Sequence, residues 1–227
     1  YMQAEARAIF PGVEGKYHKI PGGVDTLRFS PAPDRGQVRR RLGLPETSPI
    51  LLTVRRLSPR MGLEELVRAM VRVEQAHPEA LLLVGGNGQL RGRLEQLIAE
   101  LGLRRTRLLG YIPDQDLPAY YQASDLFIMP SLALEGFGLS TLEALACGVP
   151  VLGTPVGGTP EILSEVLPEF VLTGMGPETL AAGILEKLPL LPDPGLSQRA
   201  RRYAERFSWD RITDAVEGLF SEIIASR

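Results

Sequence analysis

A single cysteine, Cys147, stands among 227 residues. No internal disulfide can form, which fits a reducing compartment and leaves stability to a packed core. Histidine is almost as scarce: His18 and His77 lie far apart and lack the spacing of metal ligands. No apolar run approaches the ~18–20 residues that span a bilayer. The net charge of −2 removes the global argument for nucleic acid or for an anionic membrane as partner. Local basic runs such as Arg39-Arg40-Arg41 and Arg104-Arg105 read mostly as solvated helix ends and loops. There is no G-x-S-x-G elbow and no Cys–His pair for nucleophilic catalysis, and no internal repeat.

What is present is apolar material and rhythm. Hydrophobic residues make up 44% of the chain, enough for a real core. The opening YMQAEARAIF has no initiator Met and reads as the start of an excised domain. Residues 1–20 suggest a short helix, a loop and a small strand around His18–Ile20, followed by a turn at 21–25 (PGGVD). A short helix is expected between Asp34 and Leu42. From residue 50 onward, short β-rich runs (50–54, 81–84, 106–109, 126–129, 149–153, 169–172) alternate with amphipathic stretches (62–76, 88–102, 114–122, 140–147, 159–166, 177–187). Runs that are apolar throughout are strands buried on both faces, and helices between them make right-handed crossovers. The pattern predicts an α/β fold: a Rossmann-like, doubly wound parallel sheet of about six strands. A helical tail from Leu196 to Arg227 follows, with Ser208 capping its last helix.

In such sheets ligands bind beyond the carboxyl ends of the strands, which directs attention to the loops 55–62, 85–88, 110–114, 130–140 and 154–159. In the first, Arg55, Arg56 and Arg60 could fork onto diphosphate oxygens. VGGNGQL (84–90), with Gly86, matches no dinucleotide or P-loop spacing and reads mainly as a tight turn. In the loop at 130–140, Gly136 and Gly138 flank Phe137 just before a helix opening near Ser140, an arrangement that favours an anion. Two carboxylates follow in order, eight residues apart. Glu135 lies on the loop, facing the cleft. Glu143 either closes a capping box with Ser140 or contacts a ligand.

These stretches identify the chain by resemblance. PGGVDTLRFSP (21–31), VRRLSPRMGLEELVRAM (54–70), LLLVGGNGQLR (82–91), LLGYIPDQDLPAYYQASDLFIMPS (108–131), EGFGLSTLEALACGVPVLGTPVGGTPEI (135–162) and FSWDRI (207–212) resemble the C-terminal, donor-binding domain of GT-B-fold retaining glycosyltransferases of group 1. The resemblance implies one half of a GT-B fold. Residues 1–30 would be an interdomain segment and the domain start, 31–206 the nucleotide-sugar-binding domain, and 207–227 the closing helix. It implies a nucleoside diphosphate sugar as donor, neither metal nor other cofactor, and an acceptor sugar or lipid held by an N-terminal domain outside this chain. It places the protein in the cytoplasm or at the inner membrane face. Arg56 would hold the diphosphate, and Glu135 with Gly136, Phe137 and Gly138 would face the sugar. Leu139 and Ser140 would give N–H groups to phosphate, Glu143 would take the ribose hydroxyls, and Tyr111 and Ile112 would meet the base. Arg56 and Glu135 are the residues assigned to catalysis. Two departures stand out: Gly22 where the family commonly has Asn, and Met61 where it usually has the phosphate lysine. Either phosphate binding is weakened or a neighbour supplies the charge, with Arg60 preferred to Arg55. A non-catalytic nucleotide-sugar sensor is the alternative reading; an epimerase fits the 135–143 pattern less well.

Overall fold

The computed structural model describes residues 1–10 and 18–225. The loop expected between the first helix and residue 18 lies outside the described residues. The first helix, α1 (Met2–Ile9), is present, but His18–Ile20 form no strand. Asp34 caps α2 (Arg35–Arg41) by accepting from the Gln37 amide at 2.9 Å.

The core follows as β1 (Ile50–Val54), α3 (Leu63–Ala76), β2 (Leu81–Gly85), α4 (Arg91–Glu100), β3 (Thr106–Gly110), α5 (Leu117–Ala123), β4 (Leu126–Met129), α6 (Leu139–Ala146), β5 (Val151–Gly153), α7 (Thr159–Val166) and α8 (Pro177–Lys187). Then come α9 (Pro194–Ala204) and α10 (Trp209–Ala225). The strands pair in parallel in the order β3-β2-β1-β4-β5. β2 and β4 are buried along their whole length, as apolar runs covered by helices on both sides must be. α3 buries Leu63, Leu66, Val67, Met70 and Val73, the stripe that i, i+3, i+4 and i+7 spacing creates.

Among the described residues the sheet has five strands, not six. The run 169–172 begins behind Pro168, whose ring starts a 3₁₀ turn (Pro168–Phe170). Only a single bridge remains, Gly153 with Val171, beside the edge strand β5. β5 itself starts at Val151 because the Val149 amide is spent on Ala144 O, at the end of α6.

The amino ends of β1 and β4 are fastened by a buried ion cluster. Asp125 accepts from Arg39 Nη2 and from the Ile50 amide, both at 2.7 Å, and pairs also with Arg35. The rest of the Arg39 guanidinium donates to the Ala123 and Glu46 carbonyls at 2.8 Å. The buried cation therefore has the partners that desolvation demands.

Candidate functional site

β1 is the strand at which the order reverses: the chain moves outward through β2 and β3, then returns to place β4 on the other side. The crevice of a doubly wound sheet opens there, at the carboxyl ends. The segments after β1 and β4 meet in it. Arg55 turns inward and is buried. Its Nη1 donates to Ser131 Oγ at 2.8 Å, and its Nη2 pairs with Glu135. Ser131 Oγ also donates to Glu135 Oε2, at 2.8 Å. Glu135 is therefore only 8% exposed. The expectation that it faces the open cleft is corrected: a buried guanidinium beneath it draws the carboxylate inward.

The loop after Glu135 is held from below by two glycines. The Gly158 amide donates to Glu135 O at 3.0 Å. Gly157 has φ +60°, and a Cβ there would lie 2.0 Å from the same carbonyl. Sequence reasoning flagged the 154–159 loop without singling out these residues; the adjacent glycine pair was the available signal. Gly136 and Phe137, with Pro21, Gly22, Lys19 and Glu161, line a cavity of about 300 Å³. A side chain at Gly22 would meet Phe137 and Leu139 at 2.9 Å, so residue 22 packs against this loop.

Gly138, in left-handed conformation, is the N-cap of α6. The helix thus opens at Leu139, a residue ahead of the expected Ser140, with no side-chain cap. The first intrahelical bond is from Thr141 N to Gly138 O, at 2.9 Å. The amides of Leu139 and Ser140 precede it, and such leading amides have no partner within a helix. The capping box does not form. Glu143 instead accepts from the Tyr121 hydroxyl, at 2.8 Å to Oε2. Half-buried, Glu143 has its carboxyl raised above the usual range by desolvation, against the opposing pull of the Tyr121 bond and of Arg28. Arg28 reaches across to the carbonyl of Asp114 and ties the 25–29 segment to the loop after β3. Neither Tyr121 nor Arg28 was anticipated, because each acts through a tertiary contact that spacing does not reveal.

In that same loop Tyr111 is exposed, whereas Ile112 is 7% exposed and packs under it against Gly85. Gly86, at φ +119°, would place a Cβ 1.9 Å from the Arg55 carbonyl, so its backbone is pressed against the β1 loop. Arg56 points the opposite way from Arg55 and is exposed. With Arg60, Ser58, Asn87, Gly88 and Gln89 it lines an open groove. Arg60, in the 3₁₀ turn Pro59–Met61, donates to the Leu134 carbonyl at 2.8 Å. Met61 is buried in the core. Of the two candidates to replace a cation at residue 61, Arg60 shares the groove with Arg56 and Arg55 is committed to Glu135.

The expected residues thus lie beyond the carboxyl ends of the strands, in three places. Arg56 and Arg60 share the open groove. Gly136 and Phe137 line the second cavity, and Arg55 and Glu135 form a buried pair next to them in the chain. Glu143 sits behind the start of α6.

The family model of glycosyl transferases group 1 matches residues 34–207. The chain is 35% identical over 224 residues to a GDP-mannose-dependent monoacylated alpha-(1-6)-phosphatidylinositol monomannoside mannosyltransferase of Corynebacterium glutamicum, covering 91% of this chain and 57% of that one. Among solved structures, sucrose-phosphate synthase from Thermosynechococcus elongatus superposes with a TM-score of 0.81 at 30% identity, over 99% of this chain and 57% of that one. Anabaena HepE, solved with UDP and glucose, gives 0.76 at 27% identity, over 88% and 55%. The chain spans about half the length of the relatives it matches. Among the described residues no helix is long and apolar enough to cross a membrane.

Proposed function

Because the chain belongs to the glycosyl transferases group 1 family, we propose that it is the donor-binding half of a glycosyltransferase, holding a nucleoside diphosphate sugar for retaining transfer to an acceptor hydroxyl. One observation carries the reading. Arg56 lies in the groove after β1, and the leading amides of α6 and the half-buried Glu143 follow β4, the neighbouring strand on the far side of the point where the strand order reverses.

The chemistry follows from the charge that must be met. When the glycosidic bond breaks, negative charge grows on the departing diphosphate. Fixed N–H donors and guanidinium groups stabilise that charge without reorganising. Arg56 and the Leu139 and Ser140 amides supply them, with Arg60 in place of the lysine absent at residue 61. Glu135, braced by Arg55 and Ser131, orients sugar hydroxyls and does not attack. Glu143 takes the ribose, and the backbone at Tyr111 and Ile112 meets the base. A relative acting with GDP-mannose and a neighbour solved with UDP support the donor class and leave both bases open.

Calorimetric titration with UDP, GDP and ADP is the test. One of them should bind and raise the melting temperature, and EDTA should leave its affinity unchanged. Arg56→Ala should weaken it by about 10- to 100-fold, the worth of a charge-assisted hydrogen bond. Arg60→Ala should also weaken it; unchanged affinity would remove Arg60 from the phosphate site. If saturating levels of all three nucleotides leave the protein unshifted, the reading fails. Burial of Met61 where a phosphate cation is expected favours a second reading, a sensor without catalysis. Glu135→Gln in the full-length protein separates the two, since an enzyme loses rate and a sensor keeps its binding signal.

A further inference from the structure

Tyr121 is completely buried, yet its hydroxyl reaches the carboxylate of Glu143, one turn into α6. Its ring is wedged between Phe29, edge-on at 5.8 Å and 76°, and Phe127, tilted at 5.3 Å and 52°. Such packing leaves the ring one orientation. The phenol keeps its proton, because burial and the neighbouring Glu143 charge both push its ionisation well above the ordinary range. Toward Glu143 it can therefore only donate.

We propose that Tyr121 is a positioning residue that divides the two oxygens of Glu143: the phenol fixes Oε2 at 2.8 Å and thereby presents Oε1 to the vicinal hydroxyl pair of a ribose. This rests on the assignment of Glu143 to the ribose. A carboxylate on a freely turning side chain would lose that freedom when a diol binds, and the bond to Tyr121 removes the loss beforehand. Tyr121 thus acts on ribose recognition without touching the ligand. The groups facing Glu143 are Tyr121 on α5, Arg28 on the 25–29 segment, Asp114 after β3 and Cys147 at the C-cap of its own helix. Of these, Tyr121 holds the carboxylate by a direct hydrogen bond and keeps it charged to lower pH.

The experiment compares the tightest-binding nucleoside diphosphate with its 2′,3′-dideoxy analogue across pH, in wild type, Tyr121→Phe, Glu143→Ala and the double variant. Phenylalanine keeps the ring between Phe29 and Phe127 and removes only the donor. Wild type should favour the ribose form, and Glu143→Ala should erase that preference. Tyr121→Phe should reduce it by about 5- to 10-fold, less than the full worth of a hydrogen bond to a charged group because the tyrosine acts through Glu143, with dideoxy binding unchanged. The pH below which the preference is lost should also move upward. The double variant should match Glu143→Ala, and it lacks the carboxylate whose unmet burial could unfold Tyr121→Phe. If wild type makes no distinction between the two ligands, the ribose assignment itself is wrong. If wild type and Glu143→Ala behave as stated while Tyr121→Phe keeps the full preference and pH profile, the positioning role is overturned. Equal weakening of both ligands by Tyr121→Phe also overturns it, since that marks a purely structural tyrosine. A double variant that differs from Glu143→Ala in its preference shows Tyr121 acting apart from Glu143 and overturns it as well.

Discussion

Glu143 carries two opposed demands in one side chain. Ligand binding needs a charged acceptor, and burial disfavours that charge. Its carboxyl is raised above the ordinary value in the folded protein, so the native state holds the proton over a pH window where the unfolded chain has released it. Stability therefore falls as pH rises from the ordinary carboxylate range through the raised value. Removing the charge should relieve the penalty: Glu143→Gln is expected to raise the melting temperature at neutral pH by about 2 °C while weakening ribonucleotide binding. The gap in melting temperature should close on acidification, because protonated wild type no longer carries the buried charge. Thermal melts of both proteins between about pH 8 and about pH 5 check this. A gap that widens toward low pH would mean that the carboxylate stabilises the fold. Cys147, four residues further along, lacks this tension. Burial pushes its thiol up to about 12, and it serves as a small core group.

At the level of elements, the Arg39–Asp125 cluster fastens α2 to the amino ends of β1 and β4, at the opposite end of the strands from the crevice. Asp125→Ala leaves Arg39 buried without its counterion, a loss of about 3–5 kcal/mol. For a domain of this size that corresponds to a fall in melting temperature of roughly 10 °C, with nucleotide affinity unchanged below the transition. Arg39→Met together with Asp125→Leu should recover much of it, since both charges then leave the interior together. The same elements show what the amino-acid pattern could and could not say. Apolar runs bounded by Gly and Pro gave β1 to β4 within a residue, and amphipathic spacing gave α7 and α8 at their observed bounds, because burial on one or two faces writes itself into the order of residues. The sixth run failed where Pro168 outweighed the β-propensity of its followers. The capping box failed because Glu143 had a better partner 22 residues away, a contact that no local window contains. In the crevice, the order Glu135-Gly136-Phe137-Gly138 pointed to a candidate anion site, but the inward turn of Arg55 depends on Ser131 and Glu135 arriving on the segment after β4.

On the scale of the whole molecule, every loop assigned to the donor follows the carboxyl end of a strand, and the chain spans about half the length of the curated relatives it matches. Transfer needs the acceptor hydroxyl within about 3–3.5 Å of the anomeric carbon and aligned with it, and the advantage of holding it there amounts to ~7–11 kcal/mol of barrier. In the proposed reading that holding belongs to a second domain. Donor affinity and turnover should therefore separate: this chain should bind its nucleoside diphosphate sugar within about tenfold of the two-domain protein, a difference of roughly 1.4 kcal/mol. Its transfer rate to any acceptor should fall by ~10³-fold or more, because at millimolar acceptor the lost effective molarity is not recovered. Radiolabelled donor incubated with each form, with product resolved by chromatography and affinity measured in parallel, reads both quantities. Transfer by this chain at the two-domain rate would place the acceptor site on the residues described here. Loss of donor affinity together with rate would mean that the crevice is completed from the other side.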